Sequence, residues 1–187
     1  RIFLACLALG VAAIAAAGST AEAFRRGLAA EARDIMGGDV SFTVEQRRFT
    51  PAERAAFARL GTVGYVARVN AMAEASSGER RLVAVRGVDA RYPLVGEVGL
   101  RGAPDLRTAL APRPGAHPAV VEQALLDRLG LKLGDRFLIG TTPYVATAVL
   151  LSEPDRLARG FALGPRVMTT LEAAERSNFF TLGSLFG

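Results

Sequence analysis

The chain has one histidine, His117, which is the first residue to test for acid–base or nucleophilic chemistry. A Ser-His-Asp relay needs its histidine beside a serine on a sharp turn between a strand and a helix. No G-x-S-x-G pattern occurs, and neither Gly18-Ser19 nor Gly183-Ser184 is followed by the residues of such a turn. Because His117 precedes Pro118 at the start of a predicted strand, we interpret it as a surface loop histidine.

Metal and nucleotide chemistry are not predicted either. A zinc site takes three or four histidine, cysteine or carboxylate ligands at suitable spacing, and His117 together with Cys6, which lies inside an apolar run, does not supply them. The glycine patterns of dinucleotide-binding and phosphate-binding loops are absent. Gly37-Gly38-Asp39 follows a helix, at the end where the helix dipole repels anions, so we interpret it as a C-cap. We therefore predict no metal and no cofactor.

The acidic residues form no catalytic pair. Glu22 and Glu31 are far apart, while Glu172 and Glu175 lie on the surface of a predicted helix. Glu53 and Glu172 each stand three residues after a threonine, which is the spacing of a helix capping box. We predict no catalytic residue and a protein that is not an enzyme; an exported hydrolase is the alternative that a serine-reactive probe would test.

The positive charge of the chain comes almost entirely from arginine. The formal net charge is +5, and Lys132 is the only lysine. No basic cluster carries interleaved aromatic residues, so we predict no nucleic-acid partner. Arg25, Arg26 and Arg33 follow the apolar run, where they either meet lipid headgroups just outside a bilayer or lie on a solvated face or against a partner helix.

The N-terminal segment must carry everything after it. The run from Ile2 to Ala21 is uncharged and just reaches the about 20 apolar residues that cross a bilayer core as a helix. Helical spacing of apolar residues continues to Met36, before the C-cap glycines. We predict one helix from Ile2 to Met36, about 50 Å long. Residues 1–38 are then a transmembrane helix in membrane lipid followed by an amphipathic stalk.

A cleaved signal peptide is the alternative for this start. Ala15-Ala16-Ala17 before Gly18 fits a small-residue cleavage site, and a secreted lipid- or peptide-binding module would follow it. The length of the run and the unbroken helical pattern favour a retained helix. Charge does not decide the orientation, because Arg1 precedes the helix and Arg25 follows it.

For residues 39–178 the sequence pattern predicts an α+β domain, in which short helices cover a mixed, mainly antiparallel sheet. The turn Ser76-Ser77-Gly78-Glu79 is expected to join two strands in an antiparallel hairpin. Strands are predicted at 40–44, 62–75, 81–88, 119–121, 136–139, 144–151, 161–163 and 167–168, and helices at 51–60, 106–110, 122–129 and 170–176.

Two segments differ in amino-acid composition from the rest of the chain. Residues 89–118 are rich in proline and glycine and predict a loop-rich insertion or second lobe. Residues 179–187 form a small, apolar tail that is expected to lead toward a return helix outside this sequence.

Several motifs together resemble the FtsX-like, MacB-type family of ABC transporter permeases. Tyr92-Pro93-Leu94 and Glu153-Pro154-Asp155-Arg156 are similar to the YbbP subgroup, whereas the segment 120–140 is general to the family. The resemblance extends from Ile2 to about Asn178. The motifs are GGD at 37–39, VRGVDARYPLVGEV at 85–98, VVEQALLDRLGLKLGDRFLIG at 120–140 and VLLSEPDR at 149–156.

The resemblance implies an orientation and partners. The helix would enter the bacterial inner membrane from the cytoplasm, with the residues after about 22 in the periplasm. A separate cytoplasmic ABC ATPase subunit would drive it, and a periplasmic esterase or thioesterase would act beside it on lipophilic esters. Such permeases transmit motion to a periplasmic domain and do not pass a solute through a pore. The resemblance carries no catalytic residue onto this chain.

Overall fold

The computed structural model describes residues 2–44, 47–154 and 164–177, and for residues 2, 5, 6 and 28–36 it describes the backbone alone. Helix α1 spans Ile2–Met36, as the sequence predicted, and is unbroken through residues 15–18. Gly37 follows with a φ of 70°, the left-handed conformation that ends many helices. Among the described residues one stretch, Leu7–Gly27, is long and apolar enough to cross a membrane, and none of it is buried inside the protein.

The domain that follows α1 is built on a mixed sheet. In the part of the chain that the structure describes, the strands run in the order β3-β6-β4-β7-β2-β1-β5, and β5 also pairs with β6. Only β2–β7 and β4–β6 are parallel pairs, so the mixed, mainly antiparallel sheet is confirmed. The strands are β1 (Val66–Ala75), β2 (Arg80–Val88), β3 (Gly99–Arg101), β4 (His117–Glu122), β5 (Arg136–Ile139), β6 (Thr142–Ser152) and β7 (Arg166–Thr170).

The predicted hairpin is present, with β1 and β2 paired antiparallel from Val66 opposite Val88 to Glu74 opposite Arg80. Because β5 pairs with both β1 and β6, the hydrogen-bonded ladder closes into a circuit of six strands. Such closure leaves few unpaired strand edges.

Four short helices accompany these strands in the described chain: α2 (Pro51–Ala58), α3 (Leu106–Ala109), α4 (Gln123–Leu129) and α5 (Leu171–Arg176). Thr50 and Glu53 form the predicted capping box of α2. Gly130 ends α4 in the left-handed conformation, as expected of a C-cap. Each of these boundaries follows from local side-chain chemistry, which is why the sequence located them.

The capping box predicted for α5 at Thr169 is wrong by one residue. The side chain of Thr170 caps α5 by accepting from the Ala173 N–H at 3.1 Å. Thr169 instead lies fully buried in β7 and donates its hydroxyl to the Pro118 carbonyl at 2.7 Å. The threonine–glutamate spacing pointed to Thr169, but Thr169 is buried in the strand, so Thr170 caps the helix without a glutamate at the third position.

Other predicted elements also differ from the structure. Residues 40–44 form no strand, because Val40 and Phe42 project into solvent and no described strand lies beside them to pair. Thr142 and Pro143, predicted in a turn, are already part of β6. The predicted strand at 161–163 and the tail at 179–187 lie outside the described residues.

Two apolar layers lie on opposite faces of the sheet. The first packs α4 and α5 onto one face, through side chains such as Leu125, Leu129 and Ala173. The second covers the other face with the segment after β2, whose Tyr92 and Ala109 pack against β-strand residues such as Met168. β3 within that segment pairs with β6, so much of the predicted loop-rich stretch lies against the common sheet.

Candidate functional site

His117 is the first residue of β4 and is half-buried. Its ring lies 5.6 Å from the ring of the buried Tyr144. With Arg113 and Pro143 it borders a shallow depression of about 250 Å³. The described residues contain no group of three or more histidine, cysteine, aspartate or glutamate side chains placed to hold a metal ion.

The acidic and basic residues singled out on the helices are engaged locally. Arg25 and Arg26 both pair with Glu22, each at 2.9 Å, on the exposed surface of α1. Glu172 pairs with Arg176 one turn later on α5. The side chains of Cys6, Glu31 and Arg33 lie outside the described side chains. The members of this set whose side chains are described lie on α1 and α5 and share no common site.

A groove at the end of α1 carries both aromatic and charged residues. Its volume is about 730 Å³, within the about 300–1,000 Å³ typical of small-molecule sites. It is lined by Gly37 to Val44, by residues of α2 and of the start of β1, and by Tyr92, Leu94 and Val95. The groove is thus assembled from the segment that joins α1 to the sheet.

Aromatic side chains form one wall of this groove. Phe42 stacks on Phe57 with ring centroids 4.8 Å apart, and Phe49 meets the edge of Phe57 at 5.5 Å. Tyr65 extends the row, 6.3 Å from Phe49. Such pairs stabilise by about 0.5–1.5 kcal/mol beyond the area that they bury. They attach the segment after α1 to α2.

The same groove is rich in positive charge. Among the described residues that line it, four are arginines and two are acidic, namely Arg47, Arg48, Arg54 and Arg68 against Asp39 and Glu175. Arg47 pairs with Glu53 at 2.8 Å, which with the N–H of Thr50 lowers the pKa of Glu53 to about 2. Arg54 lies 3.6 Å from Glu175.

Arg68 differs from these paired arginines. It makes no salt bridge with a carboxylate in the described part of the chain. Its neighbour across the β1–β2 ladder is Arg86. Loss of hydration and the positive charge of Arg86 both lower the pKa of the Arg68 guanidinium. The charge of Glu153 acts in the opposite direction, and a bound anion would add to that compensation of the repulsion.

Behind Arg68 lies a buried network of opposite charges. Glu153, at the end of β6, accepts from Arg86 on β2 at 2.7 Å and also from Arg166 on β7. Arg166 additionally pairs with Glu122 of β4 at 3.1 Å. The side chains of Arg86 and Glu153 are only 9% and 6% exposed. One carboxylate therefore connects three strands.

The electrostatics of Glu153 follow from its two guanidinium partners. Burial by itself raises the pKa of this carboxyl group, but the charges and hydrogen bonds of Arg86 and Arg166 outweigh burial and lower the pKa. Arg86 also lies 4.5 Å over the ring of Tyr92. Glu153 is thus held ionised as a structural counter-charge.

Neither the groove nor the buried network was identified from the sequence. Both need contacts between residues far apart in the chain, such as Arg86 with Glu153. The one sequence feature that pointed to this region was the presence of Tyr92 and Glu153 in the motifs that resemble permeases. The groove offers a positively charged surface next to an apolar one, which suits binding of a ligand and not catalysis of a reaction.

A sequence profile of the MacB-like periplasmic core domain matches residues 2–184. The uncharacterised ABC transporter permease YbbP of Escherichia coli K12 is 26% identical over 182 residues, covering 95% of this chain and 21% of YbbP. The chain therefore spans about a fifth of the length of that relative.

One solved structure supports the fold. The extracellular domain of the noncanonic ABC-type transporter YknZ, from Gram-positive bacteria, is 15% identical and superposes with a TM-score of 0.51, covering 74% of this chain and 70% of that domain. The periplasmic region of MacB from Actinobacillus actinomycetemcomitans is 8% identical, with a TM-score of 0.47, covering 75% of this chain and 63% of that region. The predicted permease resemblance is confirmed: the chain belongs to the MacB-like periplasmic core domain family of ABC transporter permeases, with α1 at the inner membrane and the sheet domain in the periplasm.

Proposed function

We propose that this chain couples ATP hydrolysis by a separate cytoplasmic ABC ATPase subunit to work in the periplasm on lipophilic substrates or partner proteins. The observation that carries the proposal is the single uninterrupted helix Ile2–Met36, which contains a membrane-length span and continues to the sheet domain. At 1.5 Å per residue this helix is about 50 Å long. A displacement of its membrane end is thereby delivered to the periplasmic domain.

The contacts after α1 support such transmission. Phe42 stacks on Phe57 of α2, and Arg48, just before α2, donates to the Glu175 carbonyl of α5 at 3.3 Å. α5 in turn packs tightly on β2, where a Cβ added at Gly87 would lie 2.5 Å from the Ala174 Cβ. Motion of α1 therefore has a continuous packed route through α2 and α5 to the sheet.

Within this proposal the chain performs no chemistry of its own. A periplasmic esterase or thioesterase would act on the lipophilic compounds that the permease presents. Membrane lipid would surround Leu7–Gly27, a stretch long and apolar enough to cross a bilayer. Residues 1–38 act as transmembrane helix and stalk, residues 39–178 as the periplasmic domain, and residues 179–187 as the connection toward a return helix.

The test is affinity purification of the full-length protein from detergent-solubilised membranes. We expect an ABC ATPase subunit to co-purify, with any periplasmic hydrolase identified beside it by mass spectrometry. A water-soluble protein with a mature N-terminus at Gly18 and no ATPase would overturn the proposal and favour the secreted binding module. Labelling by a serine-reactive probe would instead favour an exported hydrolase.

A further inference from the structure

We propose that the groove at the end of α1 binds a single-chain anionic lipid taken from the outer leaflet of the membrane around α1, with its acidic head group on Arg68. This inference rests on the proposed function for the membrane orientation and names a substrate class for it. The binding itself is carried by the chemistry of the groove.

The apolar part of the lipid has a surface to occupy. In the described chain, four of the nine exposed large apolar side chains outside α1 line this groove: Val40, Phe42, Leu60 and Leu94. Phe42 is 57% exposed although it stacks on Phe57. Exposed large apolar side chains gathered in one groove are typical of a binding site. A hydrocarbon chain lying along Phe42 and Leu60 would remove both from water.

The head group has a matching cation. Arg68 lines the groove and has no carboxylate partner among the described residues. Arg86 lies opposite Arg68 in the ladder, and its repulsion of the Arg68 guanidinium is only partly offset by the charge of Glu153. A carboxylate or phosphate would accept two parallel hydrogen bonds from the planar guanidinium and offset that repulsion. Zwitterionic and neutral lipids lack the uncompensated negative charge.

The location fixes the source of the lipid. Gly37, at the rim of the groove, follows the end of the membrane span at Gly27 by about ten helical residues. Ten residues of helix correspond to about 15 Å. The groove thus opens just above the outer surface of the bilayer, within reach of a lipid that leaves the outer leaflet.

The experiment uses the full-length protein in nanodiscs of phosphatidylcholine. The probe is palmitic acid that carries a photoactivatable diazirine on its chain, and the labelled peptides are mapped by mass spectrometry. We expect saturable labelling between residues 37 and 68. The Arg68→Gln variant should raise the half-saturating concentration at least about tenfold, as expected for loss of a charged hydrogen-bond partner. Arg68→Lys should restore much of the labelling.

Arg128→Gln is the matched control, because Arg128 is an exposed arginine on α4 outside the groove. It makes the same change in net charge and should label like the unaltered protein. The corresponding diazirine hexadecanol, which has no charge, should label the groove weakly. Equal thermal unfolding midpoints of the two variants show that Arg68→Gln folds.

Three outcomes would overturn the inference: labelling confined to Leu7–Gly27, equal labelling by the alcohol, or identical curves for Arg68→Gln and Arg128→Gln. Displacement of the probe by millimolar inorganic phosphate would also overturn it, in favour of a soluble anion. Absent labelling together with a co-purified ATPase rejects only the lipid site. Groove labelling without any ATPase rejects only the proposed function.

Discussion

At the level of single residues, Glu153 holds the most consequential position in the domain. Its carboxylate lies between the guanidinium groups of Arg86 and Arg166. Removing one member of a buried ionic network leaves uncompensated charge, at a cost of about 3–5 kcal/mol. Glu153→Gln should therefore lower the free energy of unfolding by about 3 kcal/mol, measured by urea denaturation.

A surface carboxylate provides the control for this variant. Glu172 pairs with Arg176, but the two side chains are 71% and 68% exposed. Exposed pairs of this kind contribute about 0–1 kcal/mol. Glu172→Gln should therefore shift the urea midpoint only slightly. Equal midpoints for the two variants would show that Glu153 is not held in a buried network.

The same carboxylate predicts a pH dependence. The pKa of Glu153 is lower in the folded protein than in the unfolded chain, where the pKa of a glutamate is about 4.3. Its contribution to stability is therefore complete above the unfolded pKa and is lost as the pH falls through the lower folded pKa. The difference in unfolding free energy between the unaltered protein and Glu153→Gln should be constant near pH 7 and shrink below about pH 4. A difference that grew on acidification would contradict this sign.

Among the elements, α5 packs very closely on β2 at Gly87. An added Cβ at Gly87 would lie 2.5 Å from the Ala174 Cβ and 3.2 Å from the Leu171 Cα. Both contacts belong to the short helix, so Gly87→Ala must push α5 away from the sheet. We expect a loss of about 1–3 kcal/mol in unfolding free energy, measured by thermal or urea unfolding.

Gly38→Ala is the matched control for that substitution. A Cβ at Gly38 meets nothing within 4 Å, and its φ lies outside the left-handed region. The unfolding midpoint of Gly38→Ala should therefore remain close to that of the unaltered protein. A similar loss in both variants would mean that the loss reflects glycine replacement in general and not the α5–β2 contact.

The helices and strands also show which structural features could be predicted from sequence patterns. Helix α2 was found because Thr50, Pro51 and Glu53 act on their own neighbours. The strand predicted at 40–44 failed because alternation alone does not supply a pairing partner, and Phe42 instead stacks on Phe57. The strand order was not predicted, since it depends on pairs such as β4 with β6 that are distant in the chain.

The candidate site was less predictable than the fold for the same reason. Arg68 and Phe42 stand 26 positions apart in the sequence, and neither belongs to a motif with known chemistry. Their proximity depends on the turn after α1 and on the place of β1 in the sheet. The sequence did predict the permease family, through motifs that contain Tyr92 and Glu153.

For the whole molecule, the proposed function depends on the connection between α1 and the sheet domain. If ATP-driven motion reaches the periplasm through this connection, a flexible insertion should interrupt it. Four glycine and serine residues inserted between Gly38 and Asp39 should leave the domain folded and the ATPase bound. They should abolish the ATP-dependent change in distance between spin labels on the sheet domains of a purified permease complex.

The exposed turn Ser76-Ser77-Gly78 of the β1–β2 hairpin accepts the control insertion. The same four residues placed there lie outside the route from α1 through Phe57 and Glu175, so the distance change should persist. Persistence of the change after the Gly38 insertion would show that motion reaches the domain by another path. Loss of the change after both insertions would instead indicate that the spin labels report the stability of the sheet. Only the asymmetric result, loss at Gly38 and persistence at Ser77, identifies α1 as the element that drives the domain.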